Sequence, residues 1–416
     1  MYMFQILGIG LACVVFGTGA AVAQPMTLPS PLGLADVIRI AGERRDEITA
    51  ARARLRAGEA RPTIVSALPD PMISPSLDHL PFMWGGADVS VTVEQQIPLS
   101  GVRRYRRATA VADVGRLRAE VDRTTLDTGL GAANAFVMVH ERRRMAALVT
   151  EQLAFARDVV TAANARYASG TAPQSDVLRA EVEVARLGAQ ARALTSDIRA
   201  AEAMLNTAIG RDADLLVPDL APPAITGPVP AWAAIKARLS ERPELVAGRA
   251  EIARAALEID VMRAMFRPML TIRTGPSYTM TDGKGWMAMA GISLPIWRSK
   301  LRAGVAEAEA MRAMSEAEVA AMTRMIEGDA AAAAAELSAA RERQAALVGD
   351  VLPRARMAIE PAVASYASGQ LPLVSVIEAV QALWLVQSEL IDADSQLAFA
   401  WARLARAIGS YEAIVP

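Results

Sequence analysis

The chain repeats itself. Tyr167-Ala168-Ser169-Gly170 recurs as Tyr366-Ala367-Ser368-Gly369, and a proline stands three residues past each glycine, at 173 and 372. The same offset of 199 aligns Val177 with Val376, Leu178 with Ile377, Ala180 with Ala379, Leu205 with Leu404, and Ala208-Ile209-Gly210 with Ala407-Ile408-Gly409. Upstream the offset is 197. It aligns Pro71-Met72-Ile73-Ser74 with Pro268-Met269-Leu270-Thr271, Pro98 with Pro295, and Arg45, Glu47 and Arg52 with Arg242, Glu244 and Arg249. Solenoid periods are far shorter, so the chain reads as one unit of about 200 residues written twice. The copies cover residues 24–210 and 231–410. Residues 211–230 between them hold prolines at 218, 222, 223, 228 and 230 and read as an extended linker. Residues 411–416 form a tail.

Each copy follows one plan. A helix comes first, over residues 34–61 and 231–266, and two short strands follow. Strands are expected at about 71–79 and 88–97, and at about 268–279 and 286–295. Val89, Val91, Val93 and Ile97 alternate with Ser90, Thr92, Glu94 and Gln96, apolar on one face and polar on the other. In the second copy Trp286, Ala288, Ala290, Ile292 and Leu294 share one face. Such strands suit the roughly 9–11 residues that cross a bilayer in a tilted barrel. Phe82, Trp84, Tyr278, Trp286 and Trp297 fall at strand ends or in loops, where an aromatic girdle belongs.

A very long helix comes next. Residues 103–166 contain no proline and predict roughly 95 Å of continuous helix at 1.5 Å per residue. The matching run, 300–365, carries Pro353 and Pro361, which should kink it near its far end. Return helices are expected over 174–210 and 372–409. Apolar residues recur along them every seven positions, at Val177, Val184, Ala191, Ile198 and Leu205, and at Val376, Leu383, Leu390, Leu397 and Leu404. A sustained seven-residue repeat means coiled-coil packing. The Tyr-Ala-Ser-Gly turns are then the tips of two antiparallel hairpins, with glycine as the helix stop and proline opening the return.

Residues 6–23 form an apolar segment ending in Ala21-Val22-Ala23, the pattern of a signal peptide cleaved before Gln24. A lipoprotein reading would cleave before Cys13, but Gly10 stands where a leucine is wanted. Past this segment no apolar run approaches the roughly 18 residues of a transmembrane helix, which excludes a multi-pass helical membrane protein. The 416 residues carry 44 basic and 45 acidic side chains, a net charge of −1, so nothing in the charge balance points to nucleic acid.

Chemistry is sparse. Cys13 is the only cysteine, and His79 and His140 lie in different elements, so no metal-ligand spacing is present. No nucleophile elbow, Walker loop or dinucleotide fingerprint occurs, and neither an enzyme nor a cofactor is implied. Met262, Met265 and Met269 share a face, as do Met287 and Met289. Thioethers bind Cu(I), but no second ligand type joins them, and packing by an adaptable side chain accounts for them.

Two tandem copies of helix, strand pair, long helix and return helix resemble the TolC-type outer-membrane efflux factors. The resemblance covers roughly residues 34–410. It is carried by the Tyr-x-x-Gly tips and by Ile97-Pro98-Leu99 and Leu294-Pro295-Ile296 before the long helices. Glu94-Gln95 with Gly101-Val102-Arg103-Arg104 also looks like the heavy-metal (cobalt–zinc–cadmium type) branch.

The resemblance implies a mainly α fold with a small membrane β-barrel. In a homotrimer each protomer would lend four strands to a shared barrel in outer-membrane lipid and its helices to a periplasmic tunnel. It implies a passive conduit docked to a periplasmic adaptor and an inner-membrane pump of the resistance-nodulation-division type, for metal ions or small toxic compounds. The tips, Tyr167, Gly170, Tyr366 and Gly369, would contact the adaptor. A gate is implied at the tunnel end, where an acid at Asp176 accepts from Tyr366. Two acid positions of the family fall on Ser375 and Glu378, so one acid ring is kept, and a basic latch position falls on Leu371. An acid such as Asp176 is also favoured in any first helical turn by the helix dipole, and Glu378 also suits a solvated face. The rival reading is an exported periplasmic coiled-coil structural or adaptor protein, although an adaptor has one hairpin and a β-rich half.

Overall fold

Proline spacing sets the longest element. α3 (Val102–Ala168) runs 67 residues without interruption. The structure, a computed structural model, describes residues 28–78, 88–225, 227–279, 282–368 and 370–411. The signal segment, Cys13, His79, Phe82, Trp84, Gly369 and the tail past Tyr411 lie outside the described residues.

The opening helix of each copy is in fact two. In the first copy these are α1 (Leu34–Arg44) and α2 (Asp46–Ser66). In the second they are α5 (Trp232–Leu239) and α6 (Pro243–Ala264). The break falls at Arg45 and, in the second copy, beside Arg242, the matched arginines of the repeat, both in extended backbone. Pro243 biases Arg242 away from helix. Arg45 Nη1 donates to the Thr207 carbonyl at 2.5 Å, and Arg242 Nη1 to the Ala407 carbonyl at 3.1 Å. Each bond reaches a carbonyl in the last turn of the return helix; the Thr207 carbonyl also accepts from Gly210 N at 3.1 Å.

The strands are β1 (Met72–Asp78), β2 (Asp88–Pro98), β3 (Met269–Thr279) and β4 (Gly283–Ser293). They form one antiparallel sheet in the order β1-β2-β3-β4, so the two copies join at β2–β3. Ile97 pairs with Leu270 and Glu94 with Arg273. At Gly275 a Cβ would stand 1.9 Å from the Val91 carbonyl oxygen, so this crossing accepts only glycine.

After α3 the chain turns into α4 (Gln174–Ala208). The second copy is less regular. α7 (Arg298–Ala346) passes through a π-helical turn (Leu347–Val351) into α8 (Leu352–Met357) and α9 (Ile359–Ala367), and α10 (Leu373–Ile408) returns. The core lies where the return helices end. Phe136, Val37, Leu205 and Ile209 fill it in the first copy, and Ile326, Leu337, Trp401 and Leu404 in the second. The linker is extended but pinned. Arg143 donates to the Pro218 and Val217 carbonyls at 2.7 and 2.9 Å, and Leu32 bridges to Leu220.

α10 contains an 18-residue window of mean hydropathy 1.4, apolar enough to cross a membrane by composition. Only 17% of that window is fully buried, but most of the rest is half-covered, and Leu385 is its one large apolar side chain left exposed.

Candidate gate, tips and barrel wall

The sheet is inside out. On β2 the polar Ser90, Thr92 and Glu94 are 7%, 4% and 9% exposed, whereas Val89, Val91 and Val93 are 41%, 43% and 43% exposed. A soluble sheet buries the valines and wets the serine. Here Ser76 and Ser90 share a hydrogen bond at 2.8 Å, and Arg273 Nε donates to Glu94 at 3.0 Å across β2–β3. Ile73, Leu77, Ile292 and Trp286 face outward. Tyr278 and Trp286 stand near the β3–β4 turn and Trp297 at the opposite end, where α7 begins. This is the pattern of a barrel wall with a polar lumen and lipid outside. The sheet presents β1 and β4 as edges, and an edge cannot face hydrocarbon unpaired.

At the other end of the molecule the first tip closes on glycine. Gly170 takes φ +73°, and Gly170 N and Thr171 N donate to the Tyr167 and Arg166 carbonyls, both at 2.9 Å. No atom lies within 4 Å of where a Cβ would be, so conformation alone selects glycine here. Tyr167 is exposed. In the second tip Gln370 N donates to the Ser365 carbonyl at 2.9 Å, as Thr171 N does to Arg166 in the first, while Gly369 lies outside the described residues.

The hairpins meet just behind the tips. Ala163, Val177 and Leu373 form a small core against which Val159, Tyr366 and Ile377 pack. Tyr366 is brought to the first hairpin, but not to Asp176. Its hydroxyl is buried without a hydrogen-bond partner among the described residues. Arg166 takes it instead. The guanidinium carbon lies 4.3 Å from the Tyr366 ring centre, and Nη1 donates to the Tyr366 carbonyl at 2.8 Å. Asp176 is half-buried in the first turn of α4. Ser375 is half-buried in the first turn of α10, and Glu378 is exposed with no ion pair among the described residues. Leu371, at the family's basic latch position, is exposed.

Further contacts tie the hairpins together. Gln381 donates to Glu183 at 3.2 Å, Arg144 pairs with Asp394 at 2.5 Å, and Phe155 meets Trp384 edge-on at 6.1 Å. Sequence reading missed these residues and Arg166. Each joins chain positions far apart, and no local spacing marks such a pair. The methionines pack: Met262 Sδ lies 3.6 Å from a Cβ built on Gly304, and Met265 covers Val102 and Val261. Among the described residues no group of three or more His, Cys, Asp or Glu is placed to hold a metal.

A sequence model of the outer membrane efflux protein family matches residues 37–211 and 234–410. The outer membrane efflux protein BepC of Brucella suis biovar 1 (strain 1330) is 24% identical over 315 residues, 74% of this chain and 68% of BepC. Among solved structures, the outer-membrane channel OprN superposes with a TM-score of 0.78 at 18% identity, covering 91% of this chain and 90% of OprN. The outer membrane protein VceC from Vibrio cholerae superposes at 0.76 and 18% identity, covering 91% and 96%.

Proposed function

The chain belongs to the outer membrane efflux protein family, and from that premise we propose that it is the channel of a three-part export system. It is an outer-membrane efflux channel and not an enzyme. In the finer reading three protomers close one barrel and one helical tunnel. A periplasmic adaptor and an inner-membrane pump, of the resistance-nodulation-division type, supply cargo and energy. The cargo is metal ions or small toxic compounds, and the pump selects it. The single observation that carries this reading is the inverted sheet with two open edges. Only lateral copies satisfy the edges, and only lipid suits the valine face.

The gate reading goes with it. Asp176 and Tyr366 would bond in the closed trimer, while the conformation described here keeps Tyr366 on Arg166. Glu378 would form a three-carboxylate ring that favours cations.

Two measurements test this. The mass of the purified protein in detergent should correspond to three chains, and planar bilayers should show ohmic channels. A periplasmic monomer without conductance would sink the reading. Glu378→Gln should lower cation selectivity, and unchanged selectivity removes the ring.

A further inference from the structure

The junction between the two copies inside the chain has an unfinished duplicate at the chain's outer flanks. α6 lies between α3 of the first copy and α7 of its own. Its counterpart α2 packs along α3, and no second long helix runs along its other side. At the inner junction Arg406 bridges two carboxylates, donating to Glu244 of α6 and to Asp127 of α3, both at 2.7 Å. Arg242 completes the group, bonded to Glu244 at 2.7 Å.

Shifting these positions by the repeat gives Glu47 for Glu244, Arg45 for Arg242 and Thr207 for Arg406. Arg45 repeats the role of Arg242, paired with Glu47 and bonded to the end of its return helix. The bridging arginine has no counterpart: the Thr207 hydroxyl turns back to the Met204 carbonyl at 2.9 Å. Asp127 itself shifts onto Arg324 of α7. Burial and packing support that register. Ala133 and Ala330, 197 apart, are both fully buried. Thr125 packs at Gly42 as Met322 packs on the cluster of Leu239, again 197 apart.

So acid, arginine and acid at the inner junction become a single acid and a single arginine at the two flanks. The charge count closes without the bridge. Glu47 keeps 53% of its side chain exposed, and Arg324 is exposed with no ion pair among the described residues. Asp113, Arg116, Glu120 and Arg123, which line the inner junction on α3, become Ala310, Ala313, Ala317 and Ala320 on α7, all exposed. Four alanines in place of charged side chains let a helix approach closely.

We infer that Glu47 of one protomer pairs with Arg324 of the next, where α2 of one copy of this chain docks on α7 of another. This rests on the trimeric channel reading above. The test is Glu47→Cys with Arg324→Cys in the full chain, oxidised in isolated outer membranes beside each single-cysteine variant. The double variant alone should give a ladder of linked dimer and trimer on a non-reducing gel. Trimers in detergent without that ladder overturn the pairing and leave the channel reading standing. Absence of trimers in the unmodified chain overturns both. Because Arg324 has no ion-pair partner among the described residues of its own protomer, Arg324→Glu should lower the temperature at which trimers dissociate while Arg324→Lys preserves it. An unchanged temperature in Arg324→Glu overturns the inference.

Discussion

The two hairpins are copies in sequence and opposites in stiffness. The first descends as one unbroken helix, α3. The second descends as α7, a π-helical turn, α8, a break at Ala358, and α9. Over this same stretch the repeat offset grows from 197 at Pro98 and Pro295 to 199 at Tyr167 and Tyr366. A π turn stores an extra residue within a helix without extending it, and the break at Ala358 takes up more. Each irregularity sits just ahead of a proline, Pro353 or Pro361, because proline removes the bond to the carbonyl four residues back. The second copy therefore carries its two added residues as bends. Tyr366, Ser375 and Glu378 ride on the bent hairpin, Arg166 and Asp176 on the straight one.

The largest way to break the likeness of the copies is at their arginine–glutamate caps. Glu244 is nearly buried against Arg242 and Arg406. Glu244→Ala leaves Arg242 without a carboxylate and Arg406 with Asp127 alone, and should cost about 3 kcal/mol, the lower end for a broken buried pair. Glu47→Ala should cost under about 1 kcal/mol within a protomer, because its pair is half exposed. Thermal unfolding in detergent compares them, and equal losses would mean the caps are equivalent. Burial alone would raise the Glu244 pKa, but hydrogen bonds from Arg242 and Arg406 overcome it and hold it at about 2. A depressed folded value means this stabilisation is complete above the ordinary value of 4.5 and is lost as pH falls toward 2. The Glu244→Ala chain should show a flatter acid limb over that window.

The next effect exchanges stiffness. Ala154 in α3 is exposed and lies at the level of Pro353, 199 positions earlier in the chain. Ala154→Pro should cost about 3 kcal/mol and bend the first leg. Pro353→Ala should straighten the second and reduce open-channel time in bilayers. If channel opening is indifferent to both, the bends play no part in gating.

A smaller effect separates Arg166 from the tyrosine hydroxyl. Arg166→Ala removes a stacked cation worth about 0.5–2 kcal/mol. Tyr366→Phe should not destabilise the described conformation, since its buried hydroxyl has no hydrogen-bond partner among the described residues. Asp176→Ala combined with Tyr366→Phe should nevertheless raise single-channel conductance if the two bond in the closed trimer. Unchanged conductance removes that latch. An effect of similar size is expected at the first tip, where Gly170→Ala should cost about 1–2 kcal/mol from its positive φ alone. Barrel assembly, read by trimer yield, should persist.

Local pattern in the sequence was enough to determine much of this protein. Alternation on β2 predicts which face is apolar, absence of proline predicts the length of α3, and the Tyr-Ala-Ser-Gly motifs mark both tips. Such signals are legible because strand and helix periods act over a few residues. Only the tertiary structure decided the rest. It put Arg166 on Tyr366, 200 residues away, and Arg406 on Asp127, 279 residues away. It broke the first opening helix at Arg45, where a guanidinium reaches a distant helix end, whereas beside Arg242 the following Pro243 already disfavours helix. Nothing in the spacing of neighbours encodes those partners, because the side chains meet only after the two copies have folded against each other.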